Sequence, residues 1–158
     1  MTASLADKVM DNIVHAAELY YRLVILVAPT GAGKTSALRD VHKRTKAPLL
    51  NVNLELSQRM LELTNRQRTL QLPSLLAEII DASTADVVLL DNIEALFDAS
   101  LKQDPLRLLQ GLSRNKIVVA AWNGVIDGEY MVYAAPGHPE YKRYPLRDFL
   151  AVSPAAAE

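Results

Sequence analysis

Short apolar runs alternate with amphipathic stretches along the chain, and this pattern predicts an α/β fold. The uninterrupted apolar runs at residues 23–27, 87–90 and 117–122 are typical of strands that are buried on both faces of a sheet. A further strand is predicted at residues 49–54, directly after Pro48. Strands that alternate with helices form a parallel sheet flanked by helices, so we expect that architecture.

Helical spacing of the apolar residues predicts the segments between these strands. A first amphipathic helix is predicted from about residue 4 to residue 21, and a second at residues 36–46. Two more helices are predicted at residues 57–63 and 73–82, joined by a polar and basic connector at residues 64–68. Asp104 and Pro105 are typical of the N-cap and the first position of a helix, which is expected to run to about residue 114.

The C-terminal third predicts an antiparallel hairpin added to the sheet. Asn123-Gly124 is expected to close the strand at residues 117–122, and Asp127-Gly128 is typical of a tight hairpin turn, with residues 129–135 as the returning strand. Residues 146–152 predict either a last short helix or an extended segment. We expect one domain at residues 1–152 and a flexible tail at residues 153–158.

Composition narrows the classes of function. The 158-residue chain has no cysteine, which excludes disulfides, thiolate metal sites and cysteine nucleophiles. Its formal charge of -1 provides no overall field that would hold it on nucleic acid or on an anionic membrane. The apolar runs are too short for a transmembrane helix, and the first residues lack the pattern of a secretory signal. We therefore expect a soluble, cytoplasmic protein.

The segment between the first strand and the second helix carries the clearest chemistry. Residues 28–35 match the phosphate-binding pattern G-x-x-x-x-G-K-[ST], except that Ala28 replaces the first glycine. The glycines allow a positive φ and a close approach of a ligand, so that N–H groups of the loop and of the next helix converge on an anion. The residues predicted to bind the phosphates of ATP are Pro29, Thr30, Gly31, Ala32, Gly33, Lys34 and Thr35, with the Thr35 hydroxyl also offered to Mg²⁺.

The other half of the site is predicted from the carboxyl ends of neighbouring strands, where parallel sheets bind ligands. Asp91 follows a buried strand and is predicted to hold Mg²⁺ opposite Thr35. Asn92 stands where many P-loop ATPases have a glutamate, and it can orient a water molecule but is a poor base. Glu94 is either the catalytic base or a surface carboxylate. Asn123 is either a sensor of the γ-phosphate or of its attacking water, or a turn residue.

Arginine and tyrosine side chains suggest partners without identifying them. An arginine often neutralises the charge that develops in phosphoryl transfer, and a neighbouring subunit can supply it, which would make the working form an oligomer. The unranked candidates are Arg114, Arg143 and Arg147. Three other arginines either reach a partner or are ordinary surface residues: Arg59, Arg66 and Arg68. The partner group would be a phosphate or a second subunit.

The tyrosines interleaved with basic residues near the C-terminus either stack on single-stranded nucleic acid or pack within the fold. Contact with DNA therefore stays open.

Several blocks of sequence together resemble one family. These blocks are AELYYRLVILVAPTGAGKT, LLNVNLELS, VVLLDNIEALFD, LKQDPLRLLQGLSRNK, IVVAAWNG and YAAPGHPEY, and they resemble the BrxF family, the small P-loop proteins of BREX systems that protect bacteria from phages. The resemblance covers about residues 17–144. It implies an AAA-like nucleotide-binding protein that works beside other BREX defence proteins, including a large ATPase, a DNA methyltransferase and a phosphatase-like protein.

Residues and resemblance together predict an ATP-binding and ATP-hydrolysing subunit whose nucleotide state controls assembly with partner proteins or DNA. Compared with typical AAA+ ATPases, the chain lacks the glutamate next to Asp91 and is too short for a full helical lid domain. These two departures favour the alternative, a nucleotide-dependent scaffold or switch with little hydrolysis. A small-molecule kinase fits the size but ranks last, because no arginine-rich lid or acceptor-binding motif is recognised.

Overall fold

Seven strands form one sheet in the computed structural model, which describes residues 4–134 and 137–154. The strands are β1 (Leu23–Ala28), β2 (Leu49–Asn51), β3 (Val87–Asp91), β4 (Ile117–Asp127), β5 (Tyr130–Tyr133), β6 (Lys142–Pro145) and β7 (Leu150–Val152). The α-helices are α1 (Leu5–Ala16), α2 (Lys34–Thr45), α3 (Val52–Met60), α4 (Asn65–Asp81) and α5 (Pro105–Leu112). Two 3₁₀ helices follow β3, at Glu94–Phe97 and Ala99–Leu101.

The sheet confirms the predicted α/β class. Its strands follow the order β2-β3-β4-β1-β7, and all neighbours in this order pair in parallel. Helices α1 and α2 pack on one face of the sheet, and α3, α4 and α5 pack on the other. Because both faces are covered, β1 is fully buried along its length, which explains why its sequence is an unbroken apolar run.

The predicted strand at residues 49–54 is wrong in its second half. β2 ends at Asn51, whose side chain accepts a hydrogen bond from the backbone N–H of Leu54 at 3.0 Å and thereby caps α3. Val52, Leu56 and Met60 then face the core at helical spacing. The cap stabilises a helix start in a segment whose β-prone residues alone favour a strand.

The predicted connector at residues 64–68 is wrong as well, because α4 already begins at Asn65. Thr64 is its N-cap, and a reciprocal pair of hydrogen bonds with Gln67 forms a capping box. Pro73 was predicted to start a helix but lies inside α4. Proline has no N–H for the carbonyl of Thr69, four residues earlier, and the Gln103 side chain supplies the missing donor at 2.9 Å.

Replacing Gln103 with alanine is expected to lower the free energy of unfolding by about 1 to 2 kcal/mol, because it leaves the Thr69 carbonyl unpaired. The measurement is equilibrium unfolding in urea. The same substitution made together with Pro73→Ala should cost less, because an alanine N–H can bond to Thr69 within the helix. An equal cost in both backgrounds would contradict this account of Gln103.

The end predicted for the strand at residues 117–122 is also wrong, since β4 continues through Asn123-Gly124 to Asp127. A Cβ on Gly124 would lie 1.8 Å from the backbone oxygen of Val132, so the glycine permits a close approach of β5 and does not make a turn. The hairpin at Asp127-Gly128 is confirmed, with Asp127 opposite Tyr130 and Gly128 at φ +61°.

We call residues 124–134 and 137–145 the β-arm, because this segment leaves the parallel sheet and pairs only with itself. β4 pairs with β5 and β5 with β6, all antiparallel. The returning strand is shorter than predicted, and Ala135 lies outside the described residues. Of the alternatives for residues 146–152, the extended one is confirmed by β7. Residues 155–158 of the predicted tail lie outside the described residues.

An aromatic cluster joins the β-arm to the sheet. Trp122 is fully buried, and its indole N–H donates to the backbone oxygen of Val132 at 3.2 Å. Its ring centroid lies 4.9 Å from that of Phe97 and 5.8 Å from that of Tyr144. Phe97 stacks on Tyr133 with 3.5 Å between centroids, so the segment after β3 and the β-arm are packed together.

None of the helices in residues 4–134 and 137–154 is long and apolar enough to cross a membrane.

α5 begins as predicted, with Asp104 as the N-cap and Pro105 at the first position.

Candidate phosphate-binding site

A cleft of about 550 Å³ opens where β1 and β3 end and where β4 leaves the parallel sheet. Its lining combines the glycine loop (residues 29–33) and the first turn of α2 with residues at the end of β3, after β3 and within β4: Thr30, Gly31, Gly33, Lys34, Thr35, Ser36, Asp91, Asn92, Glu94 and Asn123. Of the residues predicted for the site, Pro29 and Ala32 are not in this lining. The remaining predicted residues meet in one cleft because adjacent parallel strands end at the same edge of the sheet.

The glycine loop has the backbone that an anion site needs. Gly31 and Gly33 have φ of +87° and +95°, which side chains other than glycine rarely adopt. A Cβ at either position would meet no atom of the described residues within 4 Å, so the backbone conformation, and not space, explains these glycines. Gly33 is the N-cap of α2 and provides no side-chain cap, so the first N–H groups of α2 lack a side-chain acceptor and can bind an anion.

Ala28 replaces the first glycine of the motif without strain. It is the last residue of β1, it is buried, and it pairs in register with Asn123 of β4. Since this backbone is an ordinary strand, position 28 does not require glycine.

Lys34 is the buried cation of the site. Lys34 is only 7% exposed, and its Nζ donates to the backbone oxygens of Ala28 at 2.7 Å and Pro29 at 2.9 Å. Burial lowers the pKa of Lys34, and the nearby charges of Glu94 and Asp91 act in the opposite direction. The ammonium therefore lies beside the loop, where phosphates would meet a poorly hydrated positive charge.

Thr35 and Asp91 form the oxygen pair predicted to hold Mg²⁺. The Thr35 hydroxyl donates to Asp91 Oδ2 at 2.7 Å, while Asp91 Oδ1 accepts the N–H of Asn92 at 2.9 Å. Within the described residues there is no group of three or more His, Cys, Asp or Glu side chains that could hold a metal ion. One carboxylate and one hydroxyl suit Mg²⁺ that completes its octahedron with phosphates and waters, so the donor set fits the predicted ion.

The left-handed backbone conformation of Asn92 brings Glu94 into the cleft. Asn92 has φ +53°, a conformation that asparagine adopts more readily than most residues, and it turns the chain directly after β3. Ile93 is then buried, and Glu94 begins the first 3₁₀ helix with its carboxylate in the cleft. The carboxylate accepts hydrogen bonds from the amide of Asn123 at 2.6 Å and from the amide of Asn53 at 3.0 Å.

Asn53 is the residue that sequence reasoning missed. It lies in the first turn of α3, where its side-chain oxygen accepts the N–H of Ala95 at 2.7 Å and its own N–H donates to the backbone oxygen of Asn92 at 2.8 Å. Asn53 follows the carboxyl end of β2 closely, much as Asn123 lies where β4 leaves the parallel sheet, and this position indicates a site residue. The predicted strand at residues 49–54 included Asn53, so the position was not recognised as the segment after a strand.

The candidate arginines do not line the cleft. Arg114 lies over the ring of Tyr20 at 4.4 Å, and Arg143 lies over the ring of Tyr130 at 3.5 Å. Arg147 is exposed and is also absent from the lining.

The tyrosines of the β-arm are held mainly by packing. Burial raises the pKa of Tyr133 to about 12, with Glu94 and Glu140 adding to the effect. Burial also raises the pKa of Tyr144, whose hydroxyl donates to Asp104 at 2.9 Å.

Comparison with known proteins identifies a family for most of the chain. Residues 24–125 match the model of the ATPase family associated with various cellular activities (AAA). No curated protein matches the sequence significantly. Among solved structures, C. elegans PCH-2 is similar with a TM-score of 0.45 and 16% sequence identity, over 96% of this chain and 43% of that chain. The chain thus spans less than half the length of that protein.

Proposed function

The chain belongs to the AAA family of ATPases, and from that premise we propose that it binds ATP with Mg²⁺ in the cleft and hydrolyses it. Lys34 and the N–H groups that open α2 bind the phosphates, and Thr35 and Asp91 hold the ion. When bound, Mg²⁺ neutralises charge on the phosphates. The proposed unit is a single nucleotide-binding domain at residues 1–152.

The observation that carries the proposal is the placement of Glu94. The carboxylate lies in the same cleft as Lys34 and Asp91, although Asn92 occupies the position directly after Asp91. A carboxylate in this place can orient the attacking water and accept its proton. The amide of Asn123 lies 2.6 Å from Glu94 and positions this carboxylate and the water beside it.

The resemblance to the BrxF family supports a more specific setting. We propose that the protein is a cytoplasmic subunit of a BREX anti-phage complex and that its nucleotide state controls assembly with other BREX proteins or DNA. AAA proteins commonly oligomerise, and no arginine of the described residues lines the cleft. Both points support a homo-oligomer in which a neighbouring subunit supplies an arginine.

A second candidate function is a nucleotide-dependent switch with little turnover. Both carboxylate oxygens of Glu94 accept hydrogen bonds from amides, one from Asn123 and one from Asn53. Two amide donors therefore occupy the oxygens that would otherwise bind the attacking water. On this alternative, ATP binding changes the assembly and hydrolysis contributes little.

Replacing Glu94 with glutamine distinguishes these functions. If Glu94 activates water, phosphate release should fall by roughly 100-fold or more while ATP affinity stays within about twofold of the unchanged chain. The measurement is phosphate release with ATP–Mg²⁺ over a range of protein concentrations, with and without DNA. Glu62→Gln, on an exposed position outside the cleft, is the matched control.

The outcomes separate the two candidates. Turnover that rises steeply with protein concentration and is lost in Glu94→Gln supports an oligomeric ATPase. Undetectable turnover of the unchanged chain in every condition, with ATP still bound, supports the switch. Asn53→Ala refines the result, because turnover should fall if Asn53 positions Glu94 productively and rise if it restrains Glu94.

A further inference from the structure

Two clefts meet along the first turn of α4, where they share two lining residues. One cleft of about 480 Å³ is lined by Asn65, Arg66, Thr69, Leu70, Ser100 and Lys102. The other, of about 280 Å³, shares Asn65 and Ser100 with the first and also contains Leu61 and Arg68. We call the two together the α4 groove. It shares no lining residue with the phosphate-binding cleft, although Asn53, which donates to Glu94, lies in the lining of the second groove cleft.

The α4 groove is basic, and its cations are free for a partner. Arg66, Arg68 and Lys102 make no ion pair with the described residues. Arg68 donates from Nε to the backbone oxygen of Leu63 at 3.1 Å, which fixes the side chain, while its terminal nitrogens have no hydrogen-bond partner among the described residues. Asp98 is the acidic residue of the groove, and its Oδ1 accepts from both the N–H and the hydroxyl of Ser100. Since Arg66, Arg68 and Lys102 outnumber this one carboxylate, the lining remains positively charged.

Apolar side chains flank these cations. Leu61 is 75% exposed and Leu70 is 70% exposed, and each lines one of the two clefts. Single exposed leucines are common, but here each lines a cleft together with an unpaired cation, Leu61 with Arg68 and Leu70 with Arg66. Each cleft therefore has a surface of mixed character. Its complement has negative charges and apolar side chains in the same short segment.

The lining argues against nucleic acid as the partner. Neither cleft has an aromatic side chain among its described lining residues, so bases would find no stacking platform. Exposed leucines also have no complement on a phosphate backbone. An extended peptide can satisfy both features, because carboxylates and apolar side chains can alternate within a few residues.

We propose that the α4 groove binds an acidic peptide segment of a partner protein. The carboxylates of the segment pair with Arg66, Arg68 and Lys102, and its apolar side chains pack on Leu61 and Leu70. The cations and leucines of this inference lie outside the phosphate-binding cleft, so it holds whether or not the chain hydrolyses ATP.

Fluorescence anisotropy with a defined probe tests the proposal on the full chain. The probe is the fluorescein-labelled peptide Leu-Glu-Glu-Glu-Leu, compared with Leu-Gln-Gln-Gln-Leu and with a labelled oligothymidine of equal charge. Arg68→Gln should weaken binding of the acidic peptide about tenfold, as expected for one charge-assisted hydrogen bond. Arg66→Gln with Lys102→Gln, both on exposed positions, should weaken it similarly without affecting folding.

Arg107→Gln is the matched control, since that arginine is on α5, is 84% exposed and lies outside the groove. It should leave binding of the acidic peptide unchanged. Equal binding of the glutamine peptide, no loss in either groove variant, or no binding of the acidic peptide would overturn the proposal. Groove-dependent binding of oligothymidine in place of the peptide would assign the surface to nucleic acid and would also overturn it. ATP binding measured on the same samples keeps failure here separate from failure of the proposed nucleotide function.

Discussion

ATP binding is expected to weaken roughly 100-fold when Lys34 is replaced by alanine, because charge-assisted hydrogen bonds to phosphate are worth about 3 kcal/mol in total. Lys34 is a buried residue, and its ammonium donates to the backbone oxygens of Ala28 and Pro29 at the loop. A positive charge that is already desolvated attracts phosphate more strongly than one that must first lose its hydration shell. Alanine keeps the helix and removes this charge.

Isothermal calorimetry with ATP and Mg²⁺ measures the effect of Lys34→Ala. Lys43→Ala is the control, because Lys43 lies on the same helix but is exposed and outside the cleft. Thermal unfolding of both variants shows whether the fold is retained. An unchanged ATP affinity in a folded Lys34→Ala protein would refute the proposed nucleotide site.

The largest expected effect on stability comes from Gly124→Ala. The added Cβ would lie 1.8 Å from the backbone oxygen of Val132, and that oxygen also accepts the indole N–H of Trp122. Backbone cannot rotate away as a side chain can, so β4 and β5 must separate. We expect a loss of about 3 kcal/mol in the free energy of unfolding and a fall of roughly 10 °C in Tm.

Gly111→Ala provides the opposite control for this experiment. Gly111 is exposed within α5, and a Cβ there meets no atom of the described residues within 4 Å. Alanine favours a helix over glycine, so this variant should gain about 0.5 to 1 kcal/mol. If both glycine variants unfolded at similar temperatures, the close contact at Gly124 would not be the reason for that glycine.

The strands that position the site were predictable because their sequences reflect burial alone. β1 and β3 are covered on both faces, so the sequence of each is an apolar run of strand length. Such a run is visible in the local sequence without knowledge of the fold. The glycine loop was predictable because its conformation depends on residues that are adjacent in sequence. Gly31 and Gly33 have positive φ angles, which the turn of the loop itself requires and which do not depend on contacts with the rest of the fold.

The errors fall where a distant residue or a competing local bond decides the structure. Pro73 is accommodated inside α4 because Gln103, 30 positions later in the chain, donates to the Thr69 carbonyl that proline leaves without a partner. Gly124 continues a strand because of its contact with Val132, which sequence neighbours do not indicate. Asn51 ends β2 by capping α3, and that cap brings Asn53 to Glu94. The hidden site residue and the misassigned strand therefore have the same cause.

The buried indole beside the cleft also gives the protein an optical property. The chain has one tryptophan, and it directly precedes Asn123, which contacts the carboxylate of Glu94. All tryptophan emission thus originates from a single known position, between the edge of the candidate phosphate-binding cleft and the base of the β-arm. A shift in that emission records local rearrangement at the site without any attached dye, and its time course can be followed during mixing with nucleotide.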